Sequence, residues 1–188
     1  AVLLLQSLFE SLLYSDRNET NVLVRIFKKK RDKNLPKGLY LWGGVGRGKT
    51  FLMDLFFDSL PLKRKTRLHF HRFMMAVHLA LSEFQGRPNP LKLVAEKFHR
   101  EATVLCFDEF YVSDIGDAML LDGLLQEMFS IGMTFVATSN VPPHRLYENG
   151  LQRAKFLPAI ALIEKHAYVH ELAAGPDYRF RALKSAGI

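Results

Sequence analysis

Along the first fourteen positions, apolar residues recur at Leu4, Leu5, Leu8, Phe9, Leu12 and Leu13, the three-and-four spacing that lines one face of a helix over 1–14. Packing on its own domain is the default for such a face. A membrane-surface or partner-binding helix is the sharper alternative, favoured by the basic run that follows. From 15 to 37 the chain turns polar and basic and ends in Asn34, Leu35 and Pro36, which reads as a connector. Beyond it, short apolar, aromatic or β-branched runs alternate with longer helical ones. Strands are predicted over 38–42, 67–71, 103–107, 134–138 and 167–171, and helices over 49–59, 72–85, 90–100, 115–131 and 152–166. Such alternation marks parallel strands joined by crossover helices, so an α/β fold is expected, a five-stranded parallel sheet sandwiched by helices. In the helix over 72–85, Phe73, Val77, Ala80, Leu81 and Phe84 form a core stripe, and the intervening positions are left to face a partner.

Composition sets outer bounds. A chain of 188 residues with 48% apolar and 24% charged residues suits one compact domain and excludes a disordered or collagenous protein. The apolar run over 1–5 is far short of the roughly 20 residues that cross a bilayer, so no span is expected. Cys106 alone forms no intrachain disulfide and no Cys-rich zinc cage, which suits a reducing compartment. The net charge is +7, but 25–37 holds seven cations against Asp32, so the excess is one segment rather than a distributed nucleic-acid face. Because the chain begins with Ala1 rather than Met, its natural start is expected to be missing, which leaves any targeting segment unread, and localisation is inferred rather than read.

The chemistry concentrates after the first predicted strand. Gly43, Gly44, Val45, Gly46, Arg47, Gly48, Lys49 and Thr50 match G-x-x-x-x-G-K-[ST], the Walker A phosphate loop, between a strand and a helix as that motif requires. The glycines let backbone N–H groups and the helix N-terminus face the β- and γ-phosphates, and Lys49 adds a mobile cation. Thr50 offers a hydroxyl to the Mg²⁺ that travels with the nucleotide, and Phe51 closes the cofactor-binding run. The bland alternative is a glycine-rich turn. The apolar strand 104–107 ends in Asp108 and Glu109, a Walker B arrangement in which the Asp holds the Mg²⁺ shell and the Glu polarises the attacking water. An acidic helix start is the alternative there. Asn140 follows the fourth strand at the sheet's carboxyl edge, where it would orient that water or simply serve the turn before Pro142 and Pro143. Arg145, Arg153 and Lys155 lie beyond as candidate transition-state cations, and the residues alone do not choose among them. None of the six asparagines is followed by lysine, which removes the N-K-x-D guanine reader of a Ras-like GTPase. His69 and His71 share a face of the predicted strand 67–71 and invite a metal reading, but packing beside the sheet is preferred because other zinc ligands are not clustered nearby.

Taken together, 38–55 (GLYLWGGVGRGKTFLMDL), 67–73 (RLHFHRF), 104–114 (VLCFDEFYVSD), 137–143 (ATSNVPP) and 149–158 (NGLQRAKFLP) resemble the AAA+ ATPases of the ZapE and AFG-like group. The wording is nearest to the bacterial, division-associated branch. The resemblance implies an AAA+ P-loop NTPase that binds ATP and Mg²⁺, acts on FtsZ polymers at the septum, and is cytoplasmic or peripheral at the inner membrane. It implies Lys49 and Thr50 as Walker A, Asp108 and Glu109 as Walker B, and Asn140 as sensor 1. It favours Arg153 over Arg145 as the arginine finger, and with it a homo-oligomeric ring. The division expected is 1–37 as helix and connector and 38–188 as a nucleotide-binding core that stops before the lid. A nucleic-acid-associated loader and a membrane-surface nucleotide switch are the competing functions.

Overall fold

The computed structural model describes residues 1–20 and 36–173. Most of the predicted connector, with all but the last two residues of the basic run over 25–37, lies outside them. The elements in chain order are α1 (Val2–Thr20), β1 (Gly38–Trp42), α2 (Lys49–Ser59), β2 (Lys65–His69), α3 (Phe70–Glu83), α4 (Pro90–Glu101), β3 (Val104–Asp108), α5 (Ile115–Ser130), β4 (Thr134–Ser139), α6 (Leu157–His166) and β5 (Ala167–Glu171), with 3-10 turns at Pro143–Arg145 and Arg153–Lys155. The five strands form one parallel sheet, as the pattern predicts, and their order across it is β2-β3-β4-β1-β5.

Alternation along the strands divides the core between two faces. Tyr40, Leu105, Phe107, Phe135 and Ala137 point to one side, where Phe70, Phe73 and Phe110 join them in an aromatic layer beneath α3–α6. Leu39, Leu41, Val104, Cys106 and Val136 point to the other, against Met53 and Phe56 of α2 and Leu5, Leu8 and Leu12 of α1. Each of those three leucines contributes about 1.5–3 kcal/mol by leaving water. The apolar face of α1 is therefore covered by its own sheet, as the default reading has it, and is not free to lie on a membrane. Among the described residues no helix is long and apolar enough to cross one.

Most boundaries fall within one or two residues of expectation, and three differences are instructive. The helix predicted to stop at 14 runs on through Thr20, so the first residues of the predicted connector are helical. β2 lies two residues earlier than predicted and ends at His69, because Phe70 reaches the core from the first turn of α3 rather than from a strand. The helix predicted over 152–166 is broken: Gln152 is left-handed (φ 57°), a 3-10 turn follows, and α6 begins only at Leu157 with Pro158 in its first turn. Proline lacks the N–H that a helix arriving from 152 would need, whereas in a first turn nothing is lost. In α3, Phe73, Val77 and Ala80 are buried and Leu81 half-buried, as is Phe84 just past its end, while Met75 and Leu79 are exposed.

Candidate functional site

The glycine loop leaves the carboxyl end of β1 and turns straight into α2. Its entry is pinned by Gly43 N–H, which donates to Ser139 O at 3.2 Å. Gly43 has φ 154°, and a Cβ there would stand 2.9 Å from Leu172 O; Gly48, the residue before α2, has φ 78° and makes no side-chain cap. The first N–H groups of α2 are thus left to an outside partner at the positive end of the helix. Gly44, Val45, Gly46, Thr50 and Phe51 are exposed, and Arg47 reaches sideways to donate to Leu172 O at 3.3 Å. Lys49 curls into the loop, its Nζ donating to Gly43 O at 2.5 Å and Gly44 O at 2.7 Å. Burial first, and the charge of Arg47 second, lower its pKa, while Glu109 acts the other way. Lys49 and Glu109 therefore feel each other across the site.

The acid side is built differently. Asp108 ends β3 opposite His69 of β2, with its side chain only 14% exposed. Arg67, two residues earlier on β2, donates from Nε to Asp108 Oδ2 at 2.7 Å and from Nη2 to Oδ1 at 3.3 Å, and its Nη1 pairs with Asp54 of α2. Burial works against the guanidinium charge, but the bonds to Asp108 and Asp54 outweigh it and the pKa of Arg67 rises. Glu109 has φ 53°, a left-handed conformation that costs a residue with a Cβ about 1–2 kcal/mol. The turn is held through Glu109 and Phe110: Glu109 N–H donates to Thr138 Oγ1 at 3.3 Å, Phe110 N–H to Thr138 O at 2.7 Å, and Ser139 Oγ to Phe110 O at 2.7 Å. Buried Phe110 anchors the turn, and the Glu109 side chain is 79% exposed, with Oε2 3.7 Å from His69 Nδ1.

Asn140 follows β4 and is exposed. Since β4 lies between β1 and β3, the carboxyl edge presents the glycine loop, Asn140 and the acid pair in that order. Strands about 4.8 Å apart place β1 and β3 roughly 10 Å from each other, a gap that fits a phosphoryl group and a water. Arg153 sits in the turn beyond β4, where its Nη2 donates to His144 O at 2.6 Å and its Nε is buried without a hydrogen-bond partner among the described residues. Arg145 is paired with Glu148 at 3.0 Å.

The shared strand face of His69 and His71 does not exist. His69 ends β2, His71 is in α3, both are exposed rather than packed, and their ring centroids are 6.1 Å apart. No group of three or more His, Cys, Asp or Glu among the described residues suits a metal alone. The Thr50 hydroxyl and Asp108 carboxylate are hard oxygen donors that fit Mg²⁺ once phosphate oxygens complete its shell. Arg67, Asp54 and Thr138 are missed by reading the motifs. The available signal for Arg67 is a cation in strand alternation two positions before His69.

A sequence model of the AFG1-like ATPase family matches residues 1–188. Cell division protein ZapE of Escherichia coli K12 is 59% identical over 160 residues, which cover 85% of this chain and 43% of that protein. Lactation elevated protein 1 homolog B of Danio rerio is 43% identical over 163 residues, covering 81% of this chain and 32% of the relative. The chain thus spans less than half the length of the curated relatives it matches. Among solved structures, domain III of the replication initiation protein DnaA from Thermotoga maritima aligns at TM-score 0.58 and 18% identity, covering 91% of this chain and 67% of that one. DnaI aligns at TM-score 0.56 and 19% identity, over 88% and 83%. The fold is that of the P-loop AAA+ domains, and the chain belongs to the AFG1-like ATPase family.

Proposed function

We propose that this member of the AFG1-like ATPase family hydrolyses ATP and uses the reaction to act on a protein partner in cell division, with FtsZ polymers as that partner. The observation that carries the hydrolytic reading is the edge order: β4 separates loop from acids, so Asn140 stands between the phosphate-binding backbone and Glu109. In this reading 38–188 is the nucleotide-binding core, and 1–37 is an appended segment whose helix covers its second face.

Lys49 exchanges its bonds to the Gly43 and Gly44 carbonyls for the β- and γ-phosphates, and the N–H groups from Gly44 to Phe51 and the start of α2 take the remaining oxygens. Mg²⁺, when bound by Thr50 and Asp108, supplies positive charge to those phosphates. Glu109 accepts a proton from a water aligned by Asn140 as its oxygen bonds to the γ-phosphorus and the bond to the β–γ bridging oxygen breaks, releasing ADP. Arg153 supplies the transition-state cation to the neighbouring subunit of a homo-oligomer. The division role is drawn from the ZapE relatives and implies a cytoplasmic protein acting at the septum. The likeness to DnaA and DnaI carries fold alone and adds nothing to a loader function.

Co-sedimentation with FtsZ polymers tests the partner. Glu109→Gln protein, which keeps ATP bound, is expected to pellet with FtsZ in ATP and Mg²⁺, and Lys49→Ala protein is not. Equal pelleting of both, or of neither, removes FtsZ as the nucleotide-dependent partner.

A further inference from the structure

Arg67 has no place in the chemistry above, yet it is the most heavily bonded cation of the site. Strand alternation puts Arg67, Cys106 and Asp108 on the sheet face that packs against α2, with Arg67 directly opposite Cys106. From there its guanidinium reaches Asp108 through two nitrogens and Asp54 through the third. Asp54 lies four residues after Thr50 on α2, one turn below it on the same helix face. Two carboxylates therefore flank the place where a polyphosphate and its divalent cation bind, and a single fixed cation lies between them. Without it, both acids would oppose an incoming anion until a metal arrived.

We propose that Arg67 is a built-in countercharge and positioning residue: by holding Asp108 and Asp54 it lets the site take a nucleotide polyphosphate before the divalent cation binds. The inference rests on the nucleotide-site reading above. The planar fork matters as well as the charge, since it fixes both Asp108 oxygens and leaves their remaining lone pairs to a metal. Arg67 touches neither nucleotide nor water in this account; it acts through the two carboxylates.

The readout is the ratio of the dissociation constant of a fluorescent ADP in EDTA to that in saturating Mg²⁺, which requires no turnover. Arg67→Met is expected to raise the ratio by about tenfold or more, because two uncompensated acids now depend on the metal for neutralisation. Arg67→Lys, which keeps the charge but loses the fork, is expected to raise it by about threefold. Asp54→Asn is half-exposed at the changed side chain and is expected to tighten metal-free binding by about threefold. If Arg67→Met does not fold by circular dichroism, the other two variants decide. A ratio within twofold of the parent in Arg67→Lys, together with unchanged metal-free binding in Asp54→Asn, overturns the proposal. Lys49→Ala in the same titration separates the two levels: if it binds as the parent does, or if the parent does not bind, the nucleotide-site reading falls, and otherwise only the role of Arg67 is at stake.

Discussion

The two halves of the carboxyl edge are held in place by different means. The loop half is shaped by backbone: Gly43, Gly46 and Gly48 have positive φ, and the bonds Lys49 makes stay within the loop. The acid half is shaped by side chains from distant strands, with Arg67 bonded to Asp108 41 residues away and Thr138 bonded to Glu109 29 residues away. The first arrangement leaves an open cradle, its exposed residues and N–H groups waiting for an anion. The second fixes the Asp108 carboxylate and the backbone turn that carries Glu109 before anything binds. A site that must admit a bulky anion and then place one water accurately needs both, a yielding half and a preorganised half.

That contrast breaks most visibly in the separation of binding from turnover. Lys49→Ala on the loop half is expected to abolish ATP binding. Glu109→Gln on the acid half is expected to leave binding intact and cut hydrolysis by about 10²–10⁴, the range for loss of a positioned base. Nucleotide titration and phosphate release check the pair, and equal loss of binding in both would erase the division between halves. Next in size, Arg153→Ala is expected to preserve binding and cut hydrolysis by roughly 10³, with activity partly restored on mixing with Glu109→Gln subunits. Activity that stays at its original level would return Arg153 to its local bond with His144.

Smaller effects sharpen the same comparison through stability. Gly48→Ala has open space around its Cβ, so it is expected to cost only the left-handed backbone term, about 1–2 kcal/mol in urea unfolding. Thr138→Val deletes the hydroxyl that receives Glu109 N–H and is expected to cost about 1 kcal/mol in the same unfolding measurement.

The difference between the halves also explains what could be read from the chain. Glycines, lysine and threonine at fixed spacing are a local signal, and α2 begins and ends where the pattern puts it, at Lys49 and Ser59. β1 and β5 match the expected 38–42 and 167–171 because their apolar runs are bounded by clear breaks. Arg67 gives no comparable signal, because its partners are fixed only by sheet order and a crossover helix. The β2 boundary differs from the pattern because Leu68 and Phe70 alternate as strand residues do, while a helix start at Phe70 buries that ring equally well. Pro158, in contrast, is a legible break within the helical spacing over 152–166, and the helix starts beside it.

The smallest expected effect lies away from the edge. His166 stacks on Phe129 with ring centroids 4.1 Å apart, and its pKa is lowered by burial first and then by Lys165 and Lys37. The unfolded chain therefore takes up the proton more readily than the folded one. Stability is full above the ordinary value of 6.5 and declines as pH falls through it towards the lower folded-state pKa. His166→Phe is expected to flatten that decline between pH 7.5 and 5.5, to about the extent one partly exposed group allows.

Whether hydrolysis needs an arginine from a neighbouring copy to stabilise the transition state, beside a water activated by Glu109, is tested most directly by the ATPase rate per subunit as a function of protein concentration, with Glu109→Gln as control. A rate per subunit that climbs with concentration is expected, with a control that stays silent throughout. A rate independent of concentration, or a control as active as the parent, would contradict that requirement.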